Sequence, residues 1–118
     1  MNSNVLDLEE FMERVQNDKE LLLELLDIYT ADYTEKRKNL ETALRENDME
    51  QIVSIAHSLK GASGNISAKE LRQLFLELEE SGKTSGVSGA DEILQALDAK
   101  YQALTAEIEV VKKELGGA

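Results

Sequence analysis

The chain has 118 residues, 42% hydrophobic and 31% charged, with no proline, no cysteine and a net charge of −11. That length fits one domain over 1–118, and the missing cysteines exclude disulfides, thiol catalysis and zinc–cysteine centres and fit a reducing compartment. Such acidity argues against binding to nucleic acid or anionic membrane and favours partners with basic patches. Complete absence of proline favours helix throughout, and with only 4% aromatic residues the core is expected to be aliphatic. No apolar run approaches a membrane span, and Met1-Asn2-Ser3-Asn4-Val5-Leu6-Asp7 lacks a signal-peptide pattern, so the expected location is the cytoplasm.

Helix starts are easy to find. Asp7 can cap a first helix over roughly 8–16. Asn17-Asp18-Lys19-Glu20 has the capping-box form, a short polar residue followed three later by Glu, and opens a second helix over roughly 18–46. Asp48-Met49-Glu50-Gln51 and Ser67-Ala68-Lys69-Glu70 repeat the pattern and open helices over roughly 48–64 and 67–81. Ser81 to Gly89 holds three glycines and three serines and reads as a flexible loop. A last helix spans roughly 90–115, and the tail Gly116-Gly117-Ala118 is expected to fray.

Apolar residues recur at helical spacing. Ile52, Ile55, Ala56, Leu59, Ala62 and Ile66 line the third helix, and Leu71, Leu74, Phe75 and Leu78 the fourth. The last carries Ile93, Leu97, Tyr101, Leu104, Ile108 and Val111 on one stripe. These stripes need one another, and the short connections make neighbours antiparallel. The expected fold is an all-α, antiparallel four-helix bundle with a short additional N-terminal helix. Such a bundle satisfies itself, which favours a monomer. Tyr29, Tyr33 and Tyr101 read as packing residues, and Leu8, Phe11 and Met12 fit packing on the bundle better than an apolar docking patch.

One segment breaks the pattern: Ala56-His57-Ser58-Leu59-Lys60-Gly61-Ala62-Ser63-Gly64-Asn65-Ile66, which holds the single histidine. With about 100° per residue, His57 falls roughly 165° from the centre of the core stripe, Gly61 and Gly64 roughly 150°, and Lys60 about 105°. A lone histidine in a helix is usually a surface or packing residue. Here, however, Gly61 stands one turn on, although an interior helical glycine costs about 1 kcal/mol against alanine. That position makes sense if something must approach the backbone. Lys60 stands where its ammonium reaches a group on the imidazole. A nucleophile, a cation and a gap suit reversible attachment of an anionic group.

The same segment, with Ala68, Leu71, Leu74, Leu78 and Glu79 downstream, resembles the histidine-containing phosphotransfer (HPt) domain of bacterial phosphorelays. The run Asn17 to Leu26, an acidic turn leading into leucines, is similar to that family too, and the likeness covers nearly the whole chain. It implies a helical bundle whose histidine takes a phosphoryl group from an aspartyl phosphate on one receiver domain and passes it to another. His57 matches the phosphoacceptor, Lys60 the residue that neutralises the phosphoryl charge, and Gly61 the small residue that leaves room for the group and the partner. Glu79 matches a position that holds glutamine in many members and glutamate in the chemotaxis-kinase branch. There it accepts a hydrogen bond from histidine Nδ1, fixes the tautomer and leaves Nε2 free to attack. The bland alternative for Glu79 is a solvated helix residue. Ser67 departs from the family, where glycine is common after the isoleucine, and as an N-cap the departure looks harmless.

The resemblance implies response-regulator receivers and a sensor histidine kinase as partners, with no cofactor on this chain and Mg²⁺ on the receiver. No histidine or cysteine cluster suggests a metal site here. The glycine-rich stretch lacks the phosphate-cradle pattern, and no nucleotide-binding segment is visible, so the chain is not expected to phosphorylate itself. Two other readings stay open: the phosphoacceptor module of a chemotaxis-type histidine kinase, which Glu79 favours, and a helical interaction module without phosphotransfer.

Overall fold

A computed structural model describes residues 5–84 and 89–116. Its elements are α1 (Leu8–Arg14), α2 (Lys19–Arg45), α3 (Met49–Asn65), α4 (Lys69–Thr84) and α5 (Ala90–Leu115). Helices α2 to α5 form an antiparallel four-helix bundle. Tyr29 and Lys36 of α2 bond Ser63 and Ser58 of α3. Lys60 of α3 bonds Glu79 of α4, Lys100 of α5 reaches back to Glu70 of α4, and Arg37 of α2 makes a two-pronged pair with Asp98 of α5.

The helices are unequal, which explains α1. Helices α2 and α5 have 27 and 26 residues, against 17 and 16 in α3 and α4. At about 1.5 Å per residue the long pair overhangs the α3–α4 turn by several turns. Val5, Leu6, Leu8, Phe11 and Val15 are buried in the common core and cover that overhang. The Asp7 N–H donates to the Ser67 carbonyl (3.0 Å), and Lys69 pairs with Asp7 (3.1 Å) and Glu10 (2.6 Å), tying α1 to the turn. Leu8 and Phe11 are core and Met12 packs against it.

The three tight turns share one geometry. After α1, α2 and α3 the chain places Gln16, Asn47 and Ser67 at φ of 55°, 54° and 62°. Each turn closes with a pair of bonds, for example Ala68 N–H to the Ser63 carbonyl (2.9 Å) and Ser67 N–H to the Gly64 carbonyl (3.1 Å). This is the Schellman arrangement, which satisfies the last carbonyls of a helix through one left-handed residue. It corrects two of the expected caps. Asn17, also left-handed at φ 62°, belongs to the end of α1, and Asp18 caps α2 by accepting from Leu21 N–H (3.0 Å). Ser67 ends α3 rather than capping α4, which begins at Lys69. Asp7 and Asp48 cap α1 and α3 as expected.

Two further expectations change. Ser81 to Thr84 is helical, not loop, and residues 85–88 lie outside the described residues, as do Gly117 and Ala118. Gly82 explains the first difference. A Cβ there would stand 2.8 Å from Val53 Cγ2, so this glycine lets α4 press against α3 rather than ending the helix. The core is also less purely aliphatic than composition suggests, because all five aromatic residues point inward. Phe11, Phe75, Tyr29 and Tyr33 are buried, and Tyr101 stacks on Tyr33 with ring centres 3.7 Å apart. Burial pushes the Tyr29 and Tyr33 phenols up, which keeps them neutral and fits packing.

A candidate phosphoacceptor histidine on the outer face of α3

His57 sits mid-way along α3, on the face opposite Ile55, Ala56 and Leu59, and its side chain is 68% exposed. The core residues on either side fix the helix's rotation, so the imidazole has no route inward. Across the α3–α4 seam lies Glu79, whose side chain is only 7% exposed. The tight approach at Gly82, one turn further along α4, brings that carboxylate up against α3.

Glu79 organises the site. Its Oε1 accepts from Lys60 Nζ (2.7 Å), and its Oε2 accepts from His57 Nδ1 (3.0 Å). Lys83, one turn on along α4, brings its Nζ to 3.4 Å from the same Oε2. The Lys60 bond outweighs burial and, helped by His57 and Lys83, holds the Glu79 carboxyl down at about 2 from 4.5. Glu79 is therefore ionised near neutral pH. A carboxylate can only accept, so the neutral imidazole must carry its proton on Nδ1. The Nε2 lone pair is then free and faces outward. Glu79 is thus no solvated helix residue.

Gly61 stands one turn from His57, and a Cβ built there would meet nothing within 4 Å. No neighbour in the bundle demands a glycine at this position. At Gly64 a Cβ would come 3.2 Å from Arg72 Cδ, a contact a flexible side chain can relieve. The two glycines line an open groove of about 510 Å³ together with Glu10, Arg14, Asn65, Lys69 and Arg72. Glu10 pairs with both Arg14 and Lys69, so this groove carries charges of both signs, and what Gly61 adds one turn from the imidazole is low, open surface.

The structure brings His57, Lys60 and Glu79 into direct contact and places Gly61 beside them as open surface. Lys83 escaped the sequence reading, because the serines and glycines from Ser81 onward suggested a loop. The i, i+4 spacing of Glu79 and Lys83 was the available signal, had α4 been carried one turn further. Among the described residues, no group of three or more His, Asp or Glu side chains is placed to hold a metal ion, and no helix is long and apolar enough to cross a membrane.

Comparison with known proteins agrees with this geometry. Residues 24–107 match the family model described as the Hpt domain. The chain is 25% identical over 103 residues to histidine-containing phosphotransfer protein 2 of Arabidopsis thaliana, covering 83% of this chain but 66% of that relative's length. The crystal structure of histidine-containing phosphotransfer protein B from Pseudomonas aeruginosa PAO1 superposes with a TM-score of 0.85 at 24% identity, covering 99% of both chains, and shares the fold. With the family match spanning most of its length, and the bundle and its outward histidine in place, the chain belongs to the Hpt domain family.

Proposed function

We propose that this protein carries a phosphoryl group on His57 between the aspartyl phosphates of response-regulator receiver domains, in a two-component relay fed by a sensor histidine kinase. The supporting observation is the exposed imidazole whose Nδ1–H is held by an ionised Glu79, which leaves Nε2 as the outward nucleophile. Nε2 attacks the phosphorus of a receiver's aspartyl phosphate, the N–P bond forms, and the acyl O–P bond breaks to release the aspartate carboxylate. The ring becomes a cation that keeps its Nδ1 proton, and Glu79 stabilises that charge. Lys60 offsets the phosphoryl charge, and Gly61 lets the receiver's active site come close. The reverse sequence delivers the group to the next receiver.

Mg²⁺ and the remaining catalytic groups come from the receiver in this reading. The chain works as one domain and a monomer, in the cytoplasm, without nucleic-acid or membrane partners. Incubation with a panel of purified, phosphorylated receivers tests it. At least one should label the protein with an acid-labile, alkali-stable phosphate, and His57→Gln should abolish the label while far-ultraviolet circular dichroism is unchanged. No labelling by any receiver, or labelling of the variant, would refute the proposal.

The Glu79–His57 bond favours a second reading, the phosphoacceptor module of a chemotaxis-type kinase. There the donor is ATP on a separate kinase domain. Faster labelling by such a kinase with ATP than by any receiver would select it.

A further inference from the structure

One buried carboxylate serves three cationic or potentially cationic groups here, and they are not held alike. Lys60 is short-bonded to Glu79 Oε1 at 2.7 Å and is 20% exposed. Lys83 lies 3.4 Å from Oε2 and is 57% exposed, at the margin of a hydrogen bond and free to adjust. His57 Nδ1 occupies the same Oε2 at 3.0 Å. In the unmodified protein Glu79 is therefore served by Lys60 and His57, and Lys83 adds little.

A phosphoryl group on Nε2 changes the balance. It brings roughly −1.5 to −2 charges near neutral pH, three residues from Lys60 on the same helix. The Lys60 ammonium cannot point inward to Glu79 and outward to the phosphoryl oxygens at full strength. If it turns outward, a nearly buried carboxylate loses its shortest cation contact, and stranding such a charge is costly. Lys83 is one turn from Glu79 on α4, already aimed at it, with a long flexible stem. The groups facing Glu79 are His57 and Lys60 from α3 and Lys83 from its own helix.

We infer that Lys83 is a relief cation: when phosphorylation of His57 draws Lys60 to the phosphoryl group, Lys83 closes onto Glu79 and takes its place. This rests on the phosphoacceptor reading of His57. Lys83 is then a positioning residue that acts through Glu79 and Lys60. It makes Lys60's departure affordable, and the phosphorylated state should not lose its neutralising cation.

The full chain, treated with phosphoramidate as donor so that no partner protein is needed, tests the exchange. Carbon-13 NMR at a fixed, mildly alkaline pH, where phosphohistidine persists, follows the Glu79 carboxyl shift in wild type, Lys83→Met and Lys83→Arg, with and without the phosphoryl group. Lys83 is exposed, so neither substitution threatens the fold. Without phosphate, the Glu79 shift in Lys83→Met should lie close to wild type. With phosphate, the Glu79 shift in Lys83→Met should separate from wild type and the phosphoryl label should be lost faster, and Lys83→Arg should restore both. Phosphorylation of His57 with the same Glu79 shift and the same rate of label loss in wild type and Lys83→Met would overturn this inference alone. Failure of His57 to take the phosphoryl group would overturn both it and the reading beneath it.

Discussion

Gly61→Ala separates a glycine kept for the fold from one kept for a visitor. A Cβ at this position meets nothing within 4 Å, so the substitution introduces no clash inside the bundle. An interior helical Gly→Ala change then gains about 1 kcal/mol from propensity, part of it through a less disordered unfolded chain. For a chain this size that corresponds to a rise of about 4 °C in Tm. The same methyl stands one turn from His57 on the approach to Nε2. Crowding a close-packed contact costs about 1–3 kcal/mol, which lowers phosphotransfer about 5- to 150-fold. The assays are a thermal melt and the rate of label transfer from a phosphorylated receiver. Gly82→Ala serves as the control, since its Cβ would fall 2.8 Å from Val53 Cγ2, and it should give no gain in stability. A Gly61→Ala protein that is less stable, or more stable with unchanged transfer, would refute the reasoning.

Three more outcomes follow from the same contacts. Glu79 has a folded pKa of about 2, below its ordinary 4.5, so its contribution to stability is present above 4.5 and is lost as pH falls toward 2. Urea midpoints of wild type and Glu79→Gln should differ by a constant amount at neutral pH and converge toward pH 2; a gap that persists there would contradict the ion-pair account. Ser67 is left-handed at φ 62°, and its buried hydroxyl has no hydrogen-bond partner. Ser67→Gly should therefore raise stability by about 0.5–1 kcal/mol in chemical denaturation; a loss would show that the hydroxyl matters. The buried Tyr29–Ser63 bond is 2.7 Å. Tyr29→Phe alone should cost about 1–2 kcal/mol, with part recovered in the double variant carrying Ser63→Ala; additive losses would mean the two hydroxyls do not share a bond.

What could be read from the sequence was what depends on helical period. The spacing of Ile52, Ile55, Ala56 and Leu59 sets the rotation of α3 and with it the outward placement of His57. What depends on register between helices could not be read that way. Glu79 meets His57 and Lys60 because α3 and α4 pack antiparallel at one particular offset, and Gly82 with Val53 sets that closeness. Period alone does not specify it; for Glu79 the family resemblance carried the expectation. The cap errors have a common cause. Ser and Asn suit both an N-cap and a left-handed residue closing the previous helix, and in turns this tight the two positions fall within two residues. The glycines and serines after Glu80 misled because composition cannot distinguish a glycine that ends a helix from one that lets two helices touch. Once Ser67 is seen to be left-handed, the glycine common there in the family finds its physical reason.

The central claim is that Nε2 of His57 is the atom that takes the group while Nδ1 keeps its proton for Glu79. Nitrogen-15 NMR of the imidazole, recorded on the chain before and after phosphorylation, reads both nitrogens directly. The account predicts the Nδ1–H form in the free protein and an N–P bond at Nε2 in the loaded one. A proton on Nε2 in the free protein, or phosphate on Nδ1 or on any other side chain, would contradict it.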